Sequence, residues 1–269
     1  MNGQLRVTIL GSGTSQGVPA IGCDCAVCRS TDPRDRRTRP SILIETADNG
    51  PEPPYTRDVR SILVDTSTDL REQALTHGVR RVDAILFTHT HADHVFGLDD
   101  VRRFNQMQKS PIPCYADRGT AATLRQIFSY IFQPPAQRGG GLPQISLFHI
   151  GGPFTLGSVD IVPVPVWHGR MPVLGFRIGS FAYLTDCNRI PDDSWPLLRG
   201  VRTIVLDALR HRPHSTHFSV SEALDVVVRI GATRAYFTHI CHDLPHAETC
   251  AQLPAGVELA YDGLVLEID

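Results

Sequence analysis

The chain has 269 residues, of which 42% are apolar and 20% charged, and its formal net charge is −2. That composition excludes a disordered chain, and the length suits one large α/β domain that buries about three-quarters of its unfolded surface without disulfide staples. The balanced charge excludes a general electrostatic grip on nucleic acid, while a small anion held by local cations stays open.

In chain order, Met1–Leu10 shows no basic segment leading into a long apolar one. No apolar run reaches the roughly 18 residues that a membrane span needs. The expectation is a cytoplasmic protein with no membrane partner. Leu5–Leu10 reads as a strand, and Gly11–Gly17 follows as a Gly-rich turn. That turn lacks the Lys-Ser/Thr of a phosphate-binding loop, so its glycines are expected to permit close packing. Next comes the cluster Cys23-Asp24-Cys25-Ala26-Val27-Cys28, three of seven cysteines. Such spacing in a reducing compartment points to metal ligation and not to a disulfide framework. Cys114, Cys187, Cys241 and Cys250 are scattered and read as small buried hydrophobes. Arg34–Arg39, RDRRTR, reads as a solvated face, with phosphate binding near a mouth as its alternative.

Further strands are expected at Ser41–Glu45, Ser61–Val64, Ala84–Phe87, Val159–Val164, Leu174–Ile178, Phe181–Thr185, Thr203–Leu206, Arg234–Phe237 and Leu264–Ile268. Helical patterns fall at Asp69–His77, Gly97–Gln108 and Thr120–Ile131. The clearest helix is Val220–Ile230, with Ser219 and Glu222 as a capping box and Gly231 as its stop. Residues 48–54 and 133–143 are Pro/Gly loops, expected at a mobile surface. The alternation predicts an α/β layered domain, with a loose two-part symmetry of strands and helix repeated.

Ala84–Phe87 leads straight into His89-Thr90-His91-Ala92-Asp93-His94. A buried strand thus delivers a ligand run where α/β folds place their chemistry. Residues two apart in an extended stretch face the same way, so His89 and His91 can grip one metal together. Asp93 and His94, where the chain turns, can face a second. Imidazole and carboxylate donors suit zinc, manganese or iron, and a pair of such ions is the centre used for two-metal hydrolysis. His168, Asp186 and His239 each follow an apolar strand and complete a set.

The run His89–His94, with His168, Asp186 and His239 behind it, resembles the signature of the metallo-β-lactamase superfamily. The resemblance spans nearly the whole chain and implies a single domain, 1–269, folded as a four-layer αββα sandwich. It implies that His89, His91 and His168 hold one divalent metal (zinc or manganese), that Asp93, His94 and His239 hold another, and that Asp186 bridges them. Asp65, after Ile62–Val64, resembles the family's early Asp that supports the metal loop without ligating. The opening Leu10–Pro19 and the C-x-C-x2-C at Cys23, Cys25 and Cys28 resemble the phosphodiesterases of the carbon–phosphorus lyase pathway. That implies a structural zinc in the loop 22–28 with His242 as fourth ligand. Cys241 and His246 are the alternative fourth ligands on spacing alone.

His217, two residues before Ser219, stands where the family keeps a leaving-group acid, and a helix start beside it favours an anion. His211 and His214 are its neighbours. The expected reaction is hydrolysis of a small, nucleotide-like or cyclic phosphodiester by a water activated between two metals, with Asp93 and His217 as catalytic groups. Rivals are a tRNA 3′-processing nuclease, a lactone or thioester hydrolase, and a zinc-organised binding module. The sequence leaves the oligomeric state open, a homodimer included.

Overall fold

The computed structural model describes residues 5–46, 61–133 and 141–269. The expected loop at 48–54 and most of that at 133–143 lie outside them. Two sheets of seven described strands each face one another. The first runs in the order β14 (Val265–Ile268), β1 (Leu5–Gly11), β2 (Ser41–Thr46), β3 (Ser61–Val64), β4 (Ala84–Leu86), β5 (Ile112–Ala116), β6 (Ile145–His149). The second runs β13 (Val257–Leu259), β12 (Arg234–Thr238), β11 (Thr203–Asp207), β10 (Phe181–Leu184), β9 (Met171–Ile178), β8 (Val159–His168), β7 (Phe154–Leu156). In each sheet one half is antiparallel and the other parallel, which is the two-part symmetry expected from the sequence.

The apolar runs explain the layering. All four residues of β3 and of β10 are buried, as strands covered on both faces must be. Phe181 and Tyr183 point between the sheets, whereas Ala182 and Leu184 point to the outer face. Ile62 and Val64 likewise face inward and Leu63 outward. One core therefore lies between the sheets and two lie under the outer helices, giving four layers. The first sheet is covered by α1 (Leu70–Thr76), α3 (Val101–Gln108) and α4 (Arg118–Ile127); the second by α6 (Val220–Ile230). α6 carries the expected capping box, and Gly231 ends it at φ 75°.

The ligand run ends in one short turn of helix, α2 (Ala92–Val95), and a 3-10 turn at Phe96–Asp100 precedes α3. The expected helix at Thr120–Ile131 begins earlier, because Asp117 caps the amides of Gly119 and Thr120. It breaks at Phe128 before α5 (Ser129–Phe132). Strands β5, β6, β7 and β13 were not expected, nor was α7 (His246–Gln252). Pro163 and Pro165 sit in β8 where it pairs with β9 alone, since β7 reaches only Val159–Ile161. An unpaired side is where a strand tolerates proline.

Candidate metal centre

The ligand-type residues gather at the C-terminal ends of strands from both sheets. β4 delivers His89, His91, Asp93 and His94; β8 ends on His168; Asp186 follows β10; His239 follows β12. Leu174 donates its amide to the Thr88 carbonyl at 3.1 Å and so stitches the two sheets beside the cluster. Asp65, Asp186 and His239 take left-handed backbone, with φ of 63°, 55° and 58°. Such a residue turns the chain sharply out of its strand, at a cost of about 1–2 kcal/mol.

Asp93, His94, Asp186 and His239 bring one donor atom each within 4.8 Å of one another, and His89, His91 and Asp186 form an adjoining set. His94 Nε2 and His239 Nε2 each lie 3.2 Å from Asp186 Oδ1 and 3.5 Å from Asp93 Oδ2, and His89 Nε2 lies 3.5 Å from Asp186 Oδ2. His168 stands beside the second set, its ring 5.0 Å from that of His91 and 5.8 Å from that of His89.

Several of the atoms behind the cluster are held by hydrogen bonds. Asp65 accepts from the Thr88 amide at 2.8 Å, from the Thr88 hydroxyl at 2.7 Å and from His94 Nδ1 at 2.7 Å. His168 Nδ1 donates to the Thr216 carbonyl at 2.8 Å. His89 Nδ1 donates to the Thr88 hydroxyl at 2.9 Å. Tying one ring nitrogen aims the other forward. In front, His89 Nε2, His94 Nε2, His239 Nε2 and Asp93 Oδ2 are buried without a hydrogen-bond partner. Buried polar atoms left so are costly unless something meets them, and a convergent imidazole–carboxylate set is what divalent metals take. The residues fit two such ions. Burial alone would raise the Asp93 and Asp186 carboxyls, but the imidazoles of His94 and His239 hold both well below the usual range.

His217 lies at the edge of this cluster. Its ring stacks on His239 at 4.4 Å and meets His168 edge-on at 4.6 Å. Its Nδ1 is 2.7 Å from Asp207 Oδ2, a fully buried carboxylate at the end of β11. Burial pushes Asp207 up and His217 down from their ordinary values. Asp207 went unnoticed in the sequence, although TIVLD is the same apolar-strand-then-acid pattern that marks Asp186. Of the two neighbours, His211 is exposed, whereas His214 is half-buried with its ring 5.2 Å from His217.

A second cluster lies nearby. His242 Nδ1 is 3.2, 3.4 and 3.6 Å from the sulfurs of Cys23, Cys25 and Cys28. The Cys28 amide, donating to the Cys25 sulfur, does most to bring Cys25 down to about 6, whereas burial beside the other thiols pushes Cys28 up to about 11. Three sulfurs and one imidazole brought this close match the donor types of a closed structural zinc site. Cys241 and His246 are not part of it: the Cys241 sulfur accepts from the Asp243 amide, and His246 Nε2 faces Cys250 at 3.7 Å.

The Arg34–Arg39 segment departs from a solvated face. Arg37 is buried, paired with Asp35 at 3.0 Å, and donates to the carbonyls of Cys241 and Leu244. Asp35 also accepts from the His246 amide. The pair braces the chain just beyond His239.

The model of the beta-lactamase superfamily domain matches residues 60–240, more than half of the chain. The chain belongs to the metallo-β-lactamase superfamily. Within the superfamily it is similar to a diphosphatase of the PhnP family, whose crystal structure superposes with a TM-score of 0.87 at 45% identity, covering 98% of this chain and 97% of that one. An octanoyltransferase of Porphyromonas gingivalis is 37% identical over 267 residues, 98% of this chain, but the chain spans only 52% of that protein. The zinc-bound PqqB of Methylobacterium extorquens shares the fold, with a TM-score of 0.70 at 20% identity over 98% of this chain and 100% of that one. This superfamily member is thus a hydrolase-family protein with residue clusters that could hold metal ions, and among the described residues no helix is long and apolar enough to cross a membrane.

Proposed function

We propose that the chain hydrolyses small, nucleotide-like phosphodiesters, cyclic ones among them, and that His217 protonates the departing oxygen. The observation that carries this reading is the His217–Asp207 pair, 2.7 Å apart and set against the rings of His239 and His168. In this reading His89, His91 and His168 hold one divalent ion, zinc or manganese. Asp93, His94 and His239 hold the other, with Asp186 between them. Bound there, the two ions would lower the pKa of a water and neutralise the phosphoryl oxygens.

The chain's own groups do the rest. Asp65 holds His94, and the Thr216 carbonyl holds His168, so the cluster keeps its shape without a substrate. Asp93 stays ionised and accepts from the attacking water. Asp207 accepts a hydrogen bond from the Nδ1–H of His217, which leaves Nε2 as the nitrogen that carries and releases the exchangeable proton of the imidazolium. Burial lowers the proton affinity of that imidazole and makes it a stronger acid. An alkoxide leaving group needs such a proton. The similarity to a diphosphatase of the PhnP family supports hydrolysis at phosphorus. The octanoyltransferase is about twice the length of this chain, so its name carries no acyl-transfer reading here.

The test is turnover of bis(p-nitrophenyl) phosphate with added manganese or zinc, beside an EDTA-treated control. A tRNA precursor with a 3′ trailer and a simple lactone serve as competitors. Metal-dependent release of nitrophenolate is expected. Cleavage of the tRNA or the lactone alone would sink the reading.

A further inference from the structure

His89, His94 and His168 are each aimed by a hydrogen bond on the ring nitrogen turned away from the cluster. His239 is not: both of its ring nitrogens are buried without a hydrogen-bond partner among the described residues. Its ring stacks on His217, but stacking fixes the plane of a ring more firmly than its place within that plane. The reach of His239 towards Asp93 and Asp186 is therefore set by its backbone, which turns at φ 58°. On one side of that turn, the Thr238 carbonyl accepts from the Ala208 amide at 3.0 Å. On the other side, Ile240 is held by the turn after β1. Its amide donates to the Ser12 carbonyl at 2.9 Å, and its carbonyl accepts from the Thr14 amide at 3.1 Å.

One carboxylate fastens the turn after β1. Asp262 Oδ1 accepts from the Ser12 amide at 2.9 Å and from the Ser12 hydroxyl at 2.8 Å. Its Oδ2 accepts from the Thr38 amide at 2.7 Å and from the Thr38 hydroxyl at 2.6 Å. The Thr38 carbonyl accepts from the Gly13 amide at 2.8 Å and closes the frame. Asp262 thus reaches His239 through two intervening residues, Ser12 and Ile240.

We propose that Asp262 is a positioning residue for His239: by clamping Ser12 and Thr38 it sets how far the imidazole advances, and so how tightly an ion is held there. The inference rests on the reading that Asp93, His94 and His239 share one divalent ion. The other ring ligands are steadied by a hydrogen bond from behind; for His239 the backbone frame does that work. Loss of a group that orients a metal ligand from behind costs roughly 10–100-fold in metal affinity. The effect belongs to one of the two ions, because neither His89 nor His168 hangs on this frame.

The experiment titrates zinc into the metal-stripped, thiol-reduced full chain, in competition with a chromophoric chelator. Asp262→Asn keeps the shape of the side chain but turns one acceptor into a donor, so one backbone amide loses its partner. One imidazole–carboxylate site should weaken by roughly 10–100-fold, while its neighbour and the cysteine site keep their affinities. In a His239→Ala background the same substitution should change zinc affinity no further, because the ligand it positions is gone. A merely structural role would lower stability and leave zinc binding alone. Leu124→Ala, in the core under α4, is the control for that: its urea midpoint should fall with zinc affinity unchanged. Should Asp262→Asn fail to fold, Ser12→Ala and Thr38→Val each remove one hydroxyl donor and should give a smaller loss at the same site. Unchanged zinc affinity in the folded variants overturns the positioning role. So does an equal loss at every site, or a loss that persists in full beside His239→Ala. If the wild type takes up no zinc in the imidazole–carboxylate set, the metal-centre reading falls and the role of Asp262 with it.

Discussion

His217 and Asp207 are two side chains whose burial makes sense only together. An isolated carboxylate inside the fold is expensive, and Asp207 Oδ1 has no hydrogen-bond partner among the described residues. Its cost is offset by what the other oxygen does for His217. If that is positioning for proton donation, His217→Ala should slow alkyl or cyclic phosphodiesters by roughly 10²–10⁴-fold and nitrophenyl esters far less, since nitrophenolate leaves without a proton. Asp207→Asn should reproduce the split in weaker form and move the alkaline limb of the kcat profile, where a general acid loses its proton, to lower pH, which a purely structural role would not do. Equal losses on both ester classes would make His217 a phosphate binder instead. Sequence reading missed Asp207 because a strand-final acid looks the same whether it ends in solvent or in the core. His246 offers a second residue-scale check. Burial lowers it to about 4 from an ordinary 6.5. Between those values the unfolded chain binds the proton and the folded chain does not, so stability falls as pH drops through that window. His246→Gln should flatten that limb, as read from urea midpoints at pH 4.5 and 7.5. An unchanged slope would assign the acid sensitivity to other histidines.

Elements differ in how much of themselves they announce. β3, β4, β10 and β11 are continuous apolar runs and were legible, as was α6 with its capping box. β5 is interrupted by Pro113, and β6 is largely solvent-facing, so neither shows a clean period. The break at Phe128 has no Gly or Pro to mark it. Arg37 sits among look-alike arginines, and only Asp35, two residues before it, sets it apart. The Gly-rich turn after β1 met expectation. A Cβ at Gly11 would run into the Arg39 carbonyl, and one at Gly13 would come within 2.8 Å of the Arg37 carbonyl. Backbone cannot give way as a flexible side chain can. Gly11→Ala should therefore cost about 1–3 kcal/mol or more, seen as a lower urea midpoint at unchanged slope. A midpoint within error of wild type would show that the turn relaxes freely.

The molecule as a whole is two half-sandwiches packed face to face, with the donor residues gathered at strand ends along one edge. This placement explains why the cluster of donor residues could be read from the sequence at all: the donors follow apolar runs. Which donors share an ion came from the family resemblance and not from spacing, because His168 and His239 follow strands far apart in the chain. The closing cross-links, Leu174 to Thr88 and Arg37 to Cys241, are invisible before folding. If the two clusters bind as their donors suggest, metal analysis should find about three ions per chain, two in the imidazole–carboxylate set and one in the cysteine set. Mild chelation should remove the first two and leave the thiolate-held zinc. Three free thiols in the native protein would refute the closed site.

The left-handed backbone at His239 carries a further consequence. Both of its ring nitrogens are buried without partners, and its φ of 58° suits glycine better than any side chain. A screen for heat resistance alone, run on metal-free protein, would therefore favour glycine at position 239. The survivors would be sturdier and inert. Durability and turnover compete here for a single dihedral angle, and a thermostabilised variant of this chain should be judged first by what it has kept there.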